Sequence, residues 1–357
     1  MKILKDFNFE NKRVLVRCDL NVPLSKEGPA CNAMRSIAGR EVLDDFRIKL
    51  SLPTINYLME RKAKIVLMSH LGRPEGRVVE SLKMDPIQNK LMEYLDVSVT
   101  KAPDCLGLEI ENWTKEMIPG EILLLENLRF HKEEELNDKN FALGLSKLGD
   151  IYINDAFGVS HREHASVFSL PDFLPAGAGL LLQREIEELS NLIENPQKPL
   201  IGIMAGAKAE TKIKAINKIA KVADWILIGG LLDKEITKKN IKLEFPEKII
   251  KPIDEDKDGL DIGLKTIQLF KEKISKAKTV FWNGPFGKTE EGFTKGSEEI
   301  ARAIIASGAY SIIGGGETIE FVNRIGLLEK FNYISSGGGA MLEFLGGKDL
   351  PGIKVLK

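Results

Sequence analysis

IIGGGETI, residues Ile312 to Ile319, decides the architecture. An apolar run over Tyr310–Ile313 enters three glycines, and the glycines enter a helical pattern over Thr318–Ile325. A strand that turns through glycine into a helix is the building unit of a parallel sheet covered by helices. The same turn leaves bare backbone N–H groups and a helix dipole facing whatever binds beyond the strand, which suits a phosphate. YISSGGGAMLE (Tyr333 to Glu343) has the same make-up. Turn geometry at a strand end explains one such cluster comfortably and the pair poorly. Neither is a P-loop.

Outward from there, short apolar runs alternate with longer amphipathic ones. Strands are predicted at Arg13–Arg17, Lys64–Met68, Ile122–Leu125, Ile151–Asn154, Leu200–Met204, Trp225–Ile228, Lys248–Ile250, Thr279–Trp282, Tyr310–Ile313 and Tyr333–Ile334. Helices are predicted at Asp45–Arg61, Asn137–Leu148, Glu210–Val222, Ser297–Ala306 and Thr318–Ile325. This alternation implies an α/β protein with parallel sheets and helices on both faces. At 357 residues there is room for two domains, each with its own core. LPDFLPAGAG (Leu170–Gly179) breaks the alternation and reads as the domain boundary, with a connecting helix over Leu182–Glu194. Ser25–Gly39 is irregular and polar and reads as a surface loop.

Hydrophobic residues make up 43% and charged residues 29%, as in globular proteins at large. The net charge of −1 gives no reason to expect general affinity for nucleic acid or membrane. Cys18, Cys31 and Cys105 are too few and scattered for a disulfide framework or a zinc site. The charged N-terminus lacks the apolar core of a signal peptide, and no apolar run approaches the roughly 18 residues of a membrane helix. A cytoplasmic enzyme is the expectation.

The basic residues are uneven. Ten of the thirteen arginines lie at or before Arg162, and all four histidines lie in that half. They gather in SHLGRPEG (Ser69–Gly76), ENLRFHKEEE (Glu126–Glu135) and NDAFGVSHREHAS (Asn154–Ser166), each just beyond a strand. The first places His70 and Arg73 in a bent loop, the second adds Arg129, and the third adds His161, Arg162 and His164. Arginine and histidine there would recognise phosphate and carboxylate as charges. His161 and His164 lack a third ligand motif for a metal. Glu133–Glu135 reads as a solvated face. In VLVRCDLNVPL (Val14–Leu24), Asp19 and Asn21 point the same way and could accept bonds from hydroxyls, or simply form an Asx turn. Arg47, in the acidic helix start DDFRIK, is by default an ordinary surface arginine.

Together these segments resemble phosphoglycerate kinases over nearly the whole chain. The resemblance extends through GIMAGAKAETK (Gly202–Lys212), LDIGLKT (Leu260–Thr266), TVFWNGPFGKTEEGF (Thr279–Phe293) and SSGGGAMLEFLGGKDLPG (Ser335–Gly352), in the family's order. It implies two Rossmann-like three-layer domains joined by a hinge helix. Residues 1–175 would bind glycerate, 176–195 connect, 196–346 bind nucleotide, and the tail 347–357 pack back on the first domain. Asp19 and Asn21 would contact the glycerate. His70, Arg73, Arg129 and Arg162 would hold its phosphate, and Arg47 would reach the carboxyl end. Lys208 and Lys212 would meet nucleotide phosphates, Glu290 the ribose, and Gly206, Gly263 and Asn283–Pro285 the nucleotide's surroundings. Gly315, Gly316, Glu317 and Thr318 would open a helix toward the phosphates, with Glu317 at the Mg²⁺. Gly337–Gly339 would face the transferred group through backbone N–H groups.

The reaction implied is reversible transfer between 1,3-bisphosphoglycerate and ADP, giving 3-phosphoglycerate and ATP. The acceptor carboxylate is already ionised, so no general base is required, and none of the usual nucleophile–base sets stands out. Arg47, Lys208 and the N–H groups of Gly316 and Gly339 would stabilise the transferred group. The family further implies a monomer serving glycolysis and gluconeogenesis, closing on its hinge to exclude water.

The chain departs from the family at Glu317, where aspartate is usual, and at Ala205, where glycine is usual. It is contracted over Gly229–Asp261 and lengthened over Ser25–Gly39. These departures keep open a non-catalytic glycerate- or nucleotide-binding homologue. A kinase for another acyl acceptor is the third reading, against which Asp19, Asn21 and the basic cluster stand.

Overall fold

Val14, Leu15 and Val16 are wholly buried, as are Ile65, Val66, Leu67 and Met68 on the next strand. Strands buried on both faces need helices on both sides, and parallel pairing provides them. The computed structural model describes residues 1–25 and 40–356. The expected loop at Ser25–Gly39, and Cys31 with it, therefore lies almost wholly outside the described residues. Two compact units result, Met1–Arg184 with Leu350–Lys357, and Glu185–Asp349.

The first unit is built on β1 (Arg13–Cys18), β2 (Lys64–Met68), β3 (Val99–Lys101), β4 (Ile122–Leu124), β5 (Ile151–Asp155) and β6 (Ala176–Ala178). Their order is β3-β4-β2-β1-β5-β6, and every pairing is parallel. Arg17 lies opposite both Met68 and Asn154. The loops that leave β1, β2 and β5 therefore start side by side.

The second unit carries β7 (Leu200–Met204), β8 (Trp225–Ile228), β9 (Ile249–Ile250), β10 (Thr279–Asn283), β11 (Tyr310–Gly314) and β12 (Tyr333–Ser335). Here the order is β12-β11-β10-β7-β8-β9, again all parallel. The winding reverses between β7 and β10, and a reversal opens a crevice beyond the strand ends. Met204 pairs with Asn283 at that point. Among the described residues no helix is long and apolar enough to cross a membrane.

The ten predicted strands are all present, each end within one residue of its expected place. Two more were not read from sequence. β3 is a short, half-polar edge strand. β6 falls inside the Pro/Gly stretch taken as a boundary, on residues 176–178 assigned to the connecting helix. Its sequence, AGA, has none of the β-branched residues that mark a strand. Small side chains are needed there for a tertiary reason, since a Cβ on Gly177 would sit 2.6 Å from Cε2 of Phe7. The helix follows β6, starting at Leu180, two residues before its expected start, and runs to Glu194. The buried Asp155 at the end of β5 starts it, accepting from the N–H groups of Leu181 (2.9 Å) and Leu182 (3.3 Å).

The C-terminal segment joins the first unit through backbone contacts. The Asn154 side-chain amide donates to the Gly352 carbonyl at 3.0 Å, and the Gly352 N–H to the Ser160 carbonyl at 2.9 Å.

Gly177→Val should overpack β6 against Phe7 and destabilise the first unit by about 1–3 kcal/mol. Urea unfolding would register this as a lower midpoint with an unchanged slope. An unchanged midpoint would mean that β6 does not pack there.

Candidate active site

In the first unit the charged residues converge where β1, β2 and β4 end. Arg47 comes from the first turn of the helix Phe46–Glu60. Its guanidinium lies 3.1 Å from Asp19 Oδ2 and donates to the Asn21 carbonyl at 3.2 Å. It is therefore not the free surface arginine of the default reading. The Asn21 side-chain oxygen accepts from the Gly72 N–H at 2.9 Å, tying the β1 loop to the β2 loop. Arg129 donates to the Gly72 carbonyl at 3.0 Å. Asn127 shapes that turn, its Oδ1 accepting from the N–H groups of Leu71 (3.2 Å) and Arg129 (3.1 Å).

The field in this hollow is strongly positive. Burial, then the charges of Arg17, Arg129 and Arg47, hold His70 well below the ordinary histidine range. Burial, then Arg129, Arg17 and Arg162, push His164 down to about 3. Burial, followed by Arg17, lowers even Arg129 to about 10. Cations gathered at this density suit an anion. Both histidines are thus held toward the neutral form and do not add the charges expected from sequence. Arg47 and Arg129 both act on His70, and Arg162 acts on Arg129 and His164. Arg73 does not take part; it is exposed and has no hydrogen bond or ion pair with any described residue.

Two residues of this hollow escaped the sequence reading. Arg17 is wholly buried beneath it, and so is Glu134. The run Glu133–Glu135 is thus not solvated throughout, since Glu134 turns inward while Glu135 stays exposed. Its middle carboxylate accepts from the Ser166 N–H at 2.9 Å and hydroxyl at 2.6 Å. Arg17 had a signal, a lone charge inside the apolar run VLVRC. Glu134 had none, because its neighbours are also glutamates.

In the second unit four glycines floor a hollow around the β7–β10 reversal. A Cβ on Gly206 would lie 3.3 Å from Lys212 Nζ, 3.7 Å from Gly284 Cα and 3.8 Å from Glu317 Oε2. One on Gly284 would strike the Ala205 carbonyl, and one on Gly338 would sit 3.2 Å from Gly315 Cα. The two glycine turns first read from sequence thus touch, with no space for side chains between them. Asn283 donates to the Gly314 carbonyl at 2.9 Å, and Thr318 Oγ1 accepts from the Gly284 N–H at 2.7 Å. No side chain caps the helices Gly316–Arg324 and Gly338–Leu345. The methyl group of Ala205 faces Gly229, where a Cβ would meet it at 2.5 Å.

Lys212 reaches this hollow with its amine against the Ala205 carbonyl. Burial lowers it to about 8, opposed by Glu317 and Glu235. Lys208 is exposed, in the left-handed region at φ 66°. Glu235, from the helix Gly230–Lys238, accepts from the N–H groups of Ala209 (2.8 Å) and Lys208 (3.3 Å). Those backbone bonds hold Glu235 below the ordinary glutamate range. The N-terminal amides of the helix Ala209–Val222 are therefore already taken by a carboxylate.

Among the described residues Gly263 and Glu290 share no hydrogen bond with the glycine hollow. Gly263 begins the helix Leu264–Ile274 and opens on a cavity of about 570 Å³ lined by Asp254, Leu264, Phe293 and Lys295. Glu290 is exposed in the turn Thr289–Glu291. Cys18 and Cys105 are buried and their thiols are raised by burial, so they are poor nucleophiles. Cys105 lies with Asp104 and His131, whose Nε2 is 2.7 Å from Asp104 Oδ1.

The two parallel α/β units thus carry unlike hollows, one lined by arginines and one floored by glycines. A family model described as phosphoglycerate kinase matches residues 4–242 and 233–348. Phosphoglycerate kinase of Dictyoglomus turgidum is 42% identical over 400 residues, covering 99% of this chain and 98% of its own. That of Borrelia garinii subsp. bavariensis is 40% identical over 403 residues, covering 100% and 99%. The crystal structure of phosphoglycerate kinase from Pyrococcus horikoshii OT3 superposes with a TM-score of 0.85 at 32% identity, covering 100% of this chain and 98% of that one. The structure of the enzyme from Coxiella burnetii gives 0.78 at 32%, covering 99% and 98%. The chain belongs to the phosphoglycerate kinase family. It is a kinase that transfers a phosphoryl group to and from a carboxyl group, and nothing in these relatives favours a non-catalytic homologue. The two model matches meet at residues 233–242, inside the segment read as contracted.

Glu235→Ala should uncap the helix Ala209–Val222 and cost about 1 kcal/mol of stability. Chemical denaturation of the variant beside Glu235→Gln, which keeps an accepting oxygen, checks this. Equal stability of both variants and the parent would dismiss the cap.

Proposed function

We propose that the first unit binds 3-phosphoglycerate or 1,3-bisphosphoglycerate and the second binds ADP or ATP. The observation that carries this reading is the pair of unlike anion sites. His70, Arg129 and Arg162 hold the glycerate phosphate, with Arg73 recruited from the surface. Asp19 and Asn21 meet its hydroxyl, and Arg47 lies nearest the carboxyl end. Lys208, Lys212 and the turns at Gly315–Thr318 and Gly337–Gly339 take the nucleotide phosphates. Gly206, Asn283 and Pro285 line their approach. The cavity at Gly263 has the size of a small-ligand site and takes the nucleoside, with Glu290 for the ribose.

The nucleotide enters as its Mg²⁺ complex. Glu317 fits that ion, since its carboxylate faces the hollow beside Lys212, and Mg²⁺ takes one or two carboxylates with phosphate oxygens and water. When bound, the ion neutralises phosphate charge. The chain's own groups position the reactants and offset charge on the equatorial oxygens, with Arg47 and Lys208 foremost. The acceptor carboxylate is ionised at neutral pH and asks for no base. Donor and acceptor belong to different units, and the helix Leu180–Glu194 is the hinge that brings them together. The protein acts as a cytoplasmic monomer in glycolysis and gluconeogenesis, as its family relationship suggests.

A coupled assay with ATP, 3-phosphoglycerate and Mg²⁺, run beside Mn²⁺ and beside Glu317→Asp, tests this reading. Turnover with Mg²⁺ is expected. Turnover only with Mn²⁺ or only in Glu317→Asp would reject Glu317 as an adequate Mg²⁺ partner. Absence of turnover under all three conditions, with calorimetric ADP binding intact, would overturn the function. Arg47→Ala should lose on the order of 10³-fold in kcat, as arginines that stabilise phosphoryl transfer do. Retention of most turnover would remove Arg47 from the chemistry.

A further inference from the structure

We propose that buried Arg17 fixes His70 as its Nε2–H tautomer, so that His70 meets the substrate anion as a neutral hydrogen-bond donor. This rests on reading the positive hollow as the glycerate site. Arg17 is a positioning residue in this scheme, acting through His70.

The guanidinium of Arg17 is committed on every side. Its Nε donates to Ser166 Oγ at 2.9 Å, and its Nη1 to the Cys18 carbonyl. Its Nη2 lies 3.3 Å from His70 Nδ1 and 4.0 Å from Glu134 Oε1. Ser166 bridges the two ions, donating its hydroxyl to Glu134 Oε1. A guanidinium has N–H donors and no acceptor, and it does not deprotonate in proteins. A contact between Nη2 and Nδ1 is therefore a hydrogen bond only if Nδ1 is bare. A neutral imidazole carries one N–H, which must then be on Nε2.

That nitrogen is available. Nε2 of His70 has no partner among the described residues, and it is not among the solvent-sealed polar atoms that lack one. The groups facing the ring are Arg17 from β1, Arg47 from the helix Phe46–Glu60, Arg129 from the turn after β4, and His164. Protonating Nδ1 would break its bond to Arg17 and set two cations against each other. The downward shift of His70 in this field agrees with that geometry. A fixed neutral donor has a use here. It adds direction to a site whose arginines already supply charge, and its contribution does not fade between about pH 6 and pH 8, where a free histidine titrates.

The test is long-range ¹H–¹⁵N correlation on the ¹⁵N-histidine-labelled protein, with His70 assigned by its absence in His70→Gln. A pyridine-like Nδ1 and pyrrole-like Nε2, unchanged from about pH 5.5 to 8, are expected. An Nδ1–H pattern, or drift toward imidazolium at the acid end, overturns the proposal. Arg17→Met with Glu134→Gln removes the buried ion pair as a unit, so that no lone charge is stranded. Its His70 should become a mixture of tautomers; a single unmoved Nε2–H form would overturn the role of Arg17. If the double variant does not fold, the wild-type spectrum still decides. Kinetically, a Gln amide can stand in for Nε2–H and an Asn amide cannot. His70→Asn should therefore raise the KM for 3-phosphoglycerate about ten-fold more than His70→Gln, the worth of one hydrogen bond, with kcat changing less. Equal effects of the two would count against the donor role. If neither moved that KM, the glycerate reading of the hollow would itself fail, whatever the tautomer.

Discussion

Parallel pairing is the constraint on which the rest depends. Strands that run the same way all end on the same side, so every loop beyond them starts at one edge. In the first unit this sets Asp19, His70 and Arg129 together, although 110 residues separate the first from the last. In the second it sets the turns after β7, β10, β11 and β12 around one hollow. Antiparallel pairing of the same strands would send alternate loops to opposite ends and leave no site.

The two hollows are built differently, and packing explains the difference. The glycine hollow brings backbone against backbone so closely that a Cβ at Gly284 would collide with the Ala205 carbonyl. What faces that hollow is N–H groups, helix ends and one buried lysine. The arginine hollow has room for side chains but must keep several like charges close together. The buried Glu134 offsets part of that repulsion from below. His70 and His164 relieve more of it by staying neutral, so the site keeps its donors without adding charge.

The shortened second unit carries its own adjustments. The segment after β8 supplies the helix Gly230–Lys238 and the two-residue strand β9. Glu235 on that helix holds the Lys208 loop in a left-handed conformation that a non-glycine residue adopts only under constraint. Glu317 extends toward Lys212 across the glycine floor. Both carboxylates lower the net positive charge around Lys208 and Lys212.

Much of this was legible in the chain. Short apolar runs ending in glycine or basic clusters specified ten of the twelve strands and the parallel architecture, because local periodicity records which faces are buried. The motifs at strand ends pointed to residues that the fold gathers at one edge of each sheet, because a strand's end is where a parallel sheet exposes its loops. What only the tertiary structure decided were matters of long-range contact. AGA at residues 176–178 is a strand because Phe7 packs over Gly177. Arg73 stays outside a cluster that its motif seemed to join. One of three adjacent glutamates turns inward because Ser166 and Arg17 lie opposite it. Local sequence can state that a residue is charged, but whether that charge meets water or a buried partner is set by segments far away in the chain.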